Sequence, residues 1–128
     1  MNADQAKHVI ASMAQTITEH QALLSRLDTT IGDGDHGHNL AKAFAEADSA
    51  VQLLEAPDLQ TIWRVTGRTI RDSVGGASGL LFGAFFTGAA RTLADKDHVS
   101  ISDFVEMLEA GVAAVQKRGK ANPGDKTM

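Results

Sequence analysis

Between Val74 and Ala90 the chain reads VGGASGLLFGAFFTGAA, an uninterrupted run without a single charge. A membrane-spanning helix needs about 20 predominantly apolar residues, and this run is shorter and rich in glycine. A helix that is apolar on every side is also what the centre of a helical domain contains. The run therefore predicts a helix buried among other helices, with no membrane as partner.

The rest of the chain supplies the neighbours such a helix needs. Val9, Met13, Ile17, Leu24 and Leu27 recur at steps of three, four or seven and give a first helix one apolar face. Leu40, Phe44, Ala47, Val51 and Leu54 repeat the rhythm in a second, which ends before Ala56-Pro57. Asp58 is placed to cap a third helix presenting Leu59, Ile62, Trp63 and Ile70 and stopping near Gly75-Gly76. The uncharged fourth begins around Ala77-Ser78 and runs to about Leu93. In the fifth, Ser100 and Asp103 form a capping-box-like start before Phe104, Met107, Leu108, Val112 and Val115. No stretch alternates long enough for a strand, and His98–Ser102 is the nearest candidate. The expected class is all-α, with five helices in a single domain over 1–128.

Composition narrows the function. A chain of 128 residues suits one domain, and its net charge of −4 leaves no basic footprint that would invite nucleic acid. The absence of cysteine removes disulfides, thiolate nucleophiles and cysteine-rich zinc sites together. The amphipathic N-terminus does not resemble a signal peptide, so a cytoplasmic placement is the simplest.

Against this ordinary background Ile31–Asn39 reads IGDGDHGHN. Asp33 and Asp35 are joined by Asp28, and three aspartates around a glycine-bent loop can converge on a hard divalent cation. An EF-hand fails on spacing: counting from Asp33, the sixth position is His38 rather than glycine and the twelfth is Phe44 rather than glutamate. His36 and His38 admit zinc, manganese or iron, as in metal-dependent hydrolases, but His8, His20 and His98 are scattered and offer no obvious third ligand. Alternatively, His36 to Asn39 at a helix start adds donors where the dipole already favours a phosphate. The plain alternative is a solvent-facing turn.

The second special junction is VGGASG. Gly75, Gly79 and Gly83 lie at i, i+4 and i+8 and would make a stripe for close helix packing. Gly75-Gly76-Ala77-Ser78 also precedes a helix, where exposed N–H groups could cradle a phosphate. Replacing Gly76 with valine would disturb this loop through its φ limits or through a steric block. Near the C-terminus Pro123-Gly124 signals a turn and Asp125 would cap a further helix, yet the sequence ends at Met128. That pattern reads as a helix start without its helix, and so as a domain lacking its C-terminal part. Aspartates, a divalent cation and helix-terminal amides together suit phosphoryl transfer, which is mostly positioning and charge neutralisation.

Jointly, L-D-x-x-I-G-D-G-D-H-G-x-N-L, S-V-G-G-A-S-G and R-G-K-A-x-P-G-D-K-T-M closely resemble the nucleotide-binding L subunits of phosphotransferase-dependent dihydroxyacetone kinases. The resemblance implies an antiparallel barrel of eight helices, about five of them here, with ADP or ATP and two Mg²⁺ at one end. It implies that Asp28, Asp33 and Asp35 hold the metals, and that no residue here is itself catalytic. His36, Gly37, His38, Asn39, Ala77, Ser78, Gly119 and Met128 would contact the nucleotide. It further implies two partners, a phosphohistidine-carrying M subunit and a dihydroxyacetone-binding K subunit, active only together with this chain. His36 after the second loop aspartate is similar to the phosphotransferase type, whereas ATP-dependent fused kinases tend to carry cysteine there and fatty-acid kinases threonine. Family members continue for several more helices, so this chain would leave one side of the barrel open and apolar. The competing expectation is a truncated, non-catalytic metal-binding or interaction module.

Overall fold

The computed structural model describes residues 1–29 and 34–119. Six α-helices and one 3₁₀ turn make up these residues: α1 (Ala3–Glu19), α2 (Gln21–Asp28), α3 (His36–Gln52), α4 (Leu59–Ser73), α5 (Gly76–Ala90), the turn Arg91–Leu93, and α6 (Ile101–Gly119). No strand occurs among the described residues, and the all-α expectation holds.

The helix starts follow local chemistry. Asn2 and Gln5 form a reciprocal capping box at α1. Asp58 Oδ1 accepts from Thr61 N–H at 2.7 Å at α4. Ser100 and Asp103 exchange bonds of 3.1 and 3.0 Å before α6, as their spacing predicts. His98–Ser102 is no strand: Val99 and Met1 exchange backbone bonds of 2.8 and 2.9 Å, which pins the N-terminus beside α6.

One boundary differs from expectation. The apolar series from Val9 to Leu27 does not make one helix, because the chain turns at His20 (φ −107°, ψ 10°). The His20 N–H reaches both Thr16 and Ile17 carbonyls, and its ring nitrogen lies 2.8 Å from the Thr16 oxygen, closing α1. The seven-residue step from Ile17 to Leu24 thus joins two helices that both pack on α3 but bury different amounts of themselves. Ala6, Ile10 and Ala14 are buried in α1, whereas α2 buries nothing fully and Leu27 is 62% exposed.

α1, α3, α4, α5 and α6 lie side by side in that order, each packed on the next, and α2 packs on the start of α3. α4 and α5 are antiparallel, with Gln60 beside Ala90, Trp63 stacked on Phe86 and Arg71 beside Gly83. Their backbones approach where glycine meets glycine: a Cβ on Gly67 would stand 2.8 Å from the Gly83 carbonyl oxygen. On the far side of α5, a Cβ on Gly88 would stand 2.9 Å from the Ala110 carbonyl oxygen. The uncharged run is therefore a helix held closely between α4 and α6, which accounts for its small residues without a membrane; no described helix is long and apolar enough to cross one.

Phe44 joins the layers, with its ring edge-on to Phe82 and Phe86 at 6.1 and 5.9 Å. Between α1 and α6 the row does not close. An apolar groove of about 740 Å³ opens there, lined among others by Val9, Met13, Ile17, Phe82, Phe85 and Val115. Ile101, Phe104, Val105, Leu108 and Val112 continue it as exposed apolar residues along α6.

Candidate functional site

Asp28 ends α2 and reaches forward over the loop. Its Oδ2 accepts from Gly34 N–H at 3.1 Å and from His36 N–H at 3.3 Å. A carboxylate thereby satisfies a first-turn donor of α3 as a cap would, from a different helix. Ser25, one turn earlier on α2, accepts the His38 N–H at 3.3 Å. Asp35 occupies the capping position of α3, yet its carboxylate makes no cap bond. Asp35 is left exposed.

The N-terminus of α5 is built differently. Gly75 precedes it and no side chain caps it. A Cβ at Gly75 or Gly76 would meet nothing within 4 Å, and Gly76 sits at φ +76°. Gly79 and Gly83 do pack: a Cβ on Gly79 would collide with the Val74 carbonyl, and one on Gly83 would stand 2.9 Å from Arg71 Cβ. The stripe of three glycines therefore divides into two packing residues and one, Gly75, that faces open space.

Both helix starts open on one cleft of about 590 Å³. Asp28, Asp35, His36 and Asn39 line one side, and Val74, Gly75, Ala77 and Ser78 the other. Leu24, Leu27 and Leu40 complete an apolar wall. Two carboxylates, one imidazole, an amide and the first turn of α5 thus share a space large enough for a nucleotide-sized ligand. Oxygen donors of this kind suit a hard cation, and a helix start with exposed amides suits a phosphate.

Of the residues singled out in the sequence, Asp28, Asp35, His36, Asn39, Ala77 and Ser78 are brought together. Gly37 and His38 are not among the residues lining the cleft. Gly37 is buried against the Gln21 carbonyl and Ser25 Oγ, with no room for a Cβ. Its type is explained by the α2–α3 approach. His38 is exposed, and its N–H is engaged by Ser25. Gly119 ends α6 in an exposed position. α6 packs along α5 and against the turn Arg91–Leu93 that follows it, and its start is tied to Lys96 through Asp103, so Gly119 ends on the side where α5 begins. Asp33 and Met128 lie outside the described residues. No group of three potential metal ligands forms among the described residues, and Asp28 with Asp35 is the acidic pair available.

Sequence reading missed Ser25, Leu24, Leu27 and Val74. Ser25 carries no motif signature, because a hydroxyl bonded to a helix start thirteen positions later is a tertiary fact. Leu27 gave one available hint, as an apolar residue just ahead of an acidic loop.

An all-α domain with an acidic cleft facing an uncapped glycine-rich helix start is the class that fold and site define. The family model of the DAK2 domain matches residues 30–128. This chain belongs to that family. It is 41% identical over 123 residues to the ADP-binding subunit DhaL of the PEP-dependent dihydroxyacetone kinase 2 of Listeria innocua, covering 94% of this chain and 57% of that one. It is also 41% identical over 105 residues to the ADP-binding subunit DhaL of the PEP-dependent dihydroxyacetone kinase of Escherichia coli, covering 82% of this chain and 50% of that one. An L-erythrulose 1-kinase of Mycolicibacterium smegmatis is 35% identical over 124 residues, 21% of its own length. The chain thus spans 57% of the length of the first of these relatives and 50% of the second.

Proposed function

We propose that this chain is the ADP-binding subunit of a PEP-dependent dihydroxyacetone kinase, active with partner subunits. One observation carries the reading: Asp28 and Asp35 line the same cleft as the glycine-led start of α5 at Gly75, Ala77 and Ser78. Relatives described as ADP-binding subunits support it.

On this reading Asp28, Asp33 and Asp35 would hold two Mg²⁺. Bound Mg²⁺ supplies charge neutralisation between carboxylates and phosphate oxygens. His36 and Asn39 bind from the α3 side, and the Ala77 and Ser78 amides from the α5 side. Gly75 and Gly76 keep that approach free of side chains. Leu24, Leu27 and Leu40 exclude water from one wall. The phosphoryl donor is a phosphohistidine on one partner subunit and the acceptor is dihydroxyacetone on another, so this chain contributes positioning rather than a nucleophile.

Thermal unfolding followed by Trp63 fluorescence tests the proposal. Trp63 is buried against Phe86 at 5.8 Å and is not among the residues lining the cleft, so its emission reports folding. ADP and Mg²⁺ together should raise the midpoint, each alone much less, and Asp35→Ala should abolish the joint rise. No joint rise in the unaltered chain overturns the proposal in favour of a non-catalytic interaction module. A rise with Zn²⁺ alone favours a metal-dependent hydrolase.

A further inference from the structure

The outer face of α4, α5 and α6 segregates positive charge in a chain whose net charge is −4. Arg64, Arg68 and Arg71 stand at i, i+4 and i+7 on α4, on the side that turns from α5 toward solvent. The opposite flank and the far end carry Lys117, Arg118 and Arg91, which surround a cleft of about 360 Å³ floored by Ala84 and Thr87 of α5. α5 itself bears no charge, and its exposed residue on this side is Leu80. Cationic rims thus border a low, small-residue ridge.

Little on this face neutralises the rims. Among the described residues Arg68, Arg91, Lys117 and Arg118 enter no ion pair. Asp72 lies 3.6 Å from Arg71 Nε, but both are largely exposed and such a pair is weak. Asp58 lies near Arg64, at the far end of α4. Of the acids of α6, Asp103 and Glu106 lie toward its start and face Lys96, and Glu109 follows in the next turn. Helix-dipole compensation explains Lys117 and Arg118 in the last turn of α6, but not Arg64 and Arg68.

We infer that this face docks a carboxylate-rich surface of a partner protein. The ridge of Leu80, Ala84 and Thr87 lets a partner helix approach closely, while guanidinium groups on one side meet carboxylates in paired geometry. Nucleic acid fits less well, since the face offers no aromatic platform for bases and the chain as a whole is negative. None of the residues lining the nucleotide cleft belongs to this face, so the two assignments fail separately.

The test is fluorescence anisotropy of a labelled helical peptide carrying glutamates at i and i+4 between alanines, titrated with the full chain at low salt. Arg68→Glu should weaken binding by about tenfold, whereas Lys42→Glu, an equal charge change on exposed α3, should change it by less than about twofold. Added salt should weaken the complex, and a lysine version of the peptide should not bind. Circular dichroism and Trp63 emission confirm that each variant is folded. Absence of binding, or equal loss from both reversals, overturns the inference. So does tighter binding of polyuridylate with the same Arg68 dependence, which would make the face a nucleic-acid site. Displacement of the peptide by low-millimolar inorganic phosphate would make it a small-anion site and also overturn it.

Discussion

Gly76 stands at φ +76° with open space where a Cβ would be, so its constraint is conformational rather than steric. The choice between φ limits and a steric block, open in the sequence, is settled by that pairing. Gly76→Ala should cost about 1–2 kcal/mol, the typical penalty for an L-residue in the left-handed region. Gly75→Ala has neither constraint and should stay within about 0.5 kcal/mol of the parent. Gly79→Ala drives a methyl into the Val74 carbonyl and should exceed both. Urea unfolding should place the losses in the order Gly79→Ala, Gly76→Ala, Gly75→Ala, largest first; a Gly75→Ala loss as large as that of Gly79→Ala would restore the packing-stripe interpretation of Gly75. The two described aspartates separate in the same way. Asp28 holds two backbone N–H groups and Asp35 holds none with its side chain. Asp28→Ala should therefore destabilise the empty fold by about 1 kcal/mol as two part-buried donors lose a charged acceptor. Asp35→Ala should leave stability unchanged or raise it by relieving carboxylate repulsion, so only Asp35 reports ligand binding cleanly.

At the scale of elements, α6 is fixed at its start by Asp103. Its carboxylate takes a 2.6 Å bond from Lys96 and caps Ser100, and these partners hold its pKa down from 3.8 to about 2. A depressed carboxylate adds stability that is complete above pH 3.8 and lost as pH falls through 2. The lysine, raised by the same contact, keeps its contribution below pH 10.5 and loses it above. The α6 amides should thus exchange faster on acidification before the α4–α5 core does, and Lys96→Met should return the Asp103 titration toward 3.8 in a carboxyl NMR experiment. An unshifted Asp103 in the parent would refute the contact. This start was legible in the sequence, as was the Asp58 cap, because capping depends on residues three apart. The α1–α2 break was not, since His20 carries no breaker signature and the apolar period runs across it. The cleft was half legible. Its acidic and glycine motifs are local patterns, whereas burial of Gly37 under Gln21 and the Ser25 bond to His38 exist only once α2 folds over α3.

The molecule as a whole is a row of helices in which the uncharged α5 is clasped between α4 and α6, with an acidic cleft at one end, a basic outer face and an apolar inner groove. These three surfaces follow from the angular positions of residues on the same few helices. On α5, Phe82, Phe85 and Phe86 turn inward, Gly83 and Gly88 set the distances to its neighbours, and Ala84 and Thr87 turn outward. The groove with the exposed α6 residues makes an apolar surface of the kind that folded proteins seldom leave bare. The 128-residue chain should accordingly bind 8-anilinonaphthalene-1-sulfonate while still melting cooperatively by Trp63 emission. Phe85→Ser and Leu108→Glu should each lower the dye signal. Dye binding that persists unchanged in Phe85→Ser, or that appears only with a broad and uncooperative melt, would mean a loosened core rather than a formed groove. Because Phe85 also covers Gly111, where an added Cβ would stand 2.7 Å from its ring, the serine variant carries a packing cost. Leu108, exposed on α6, lacks that liability, so the two substitutions together distinguish a lost surface from a lost fold.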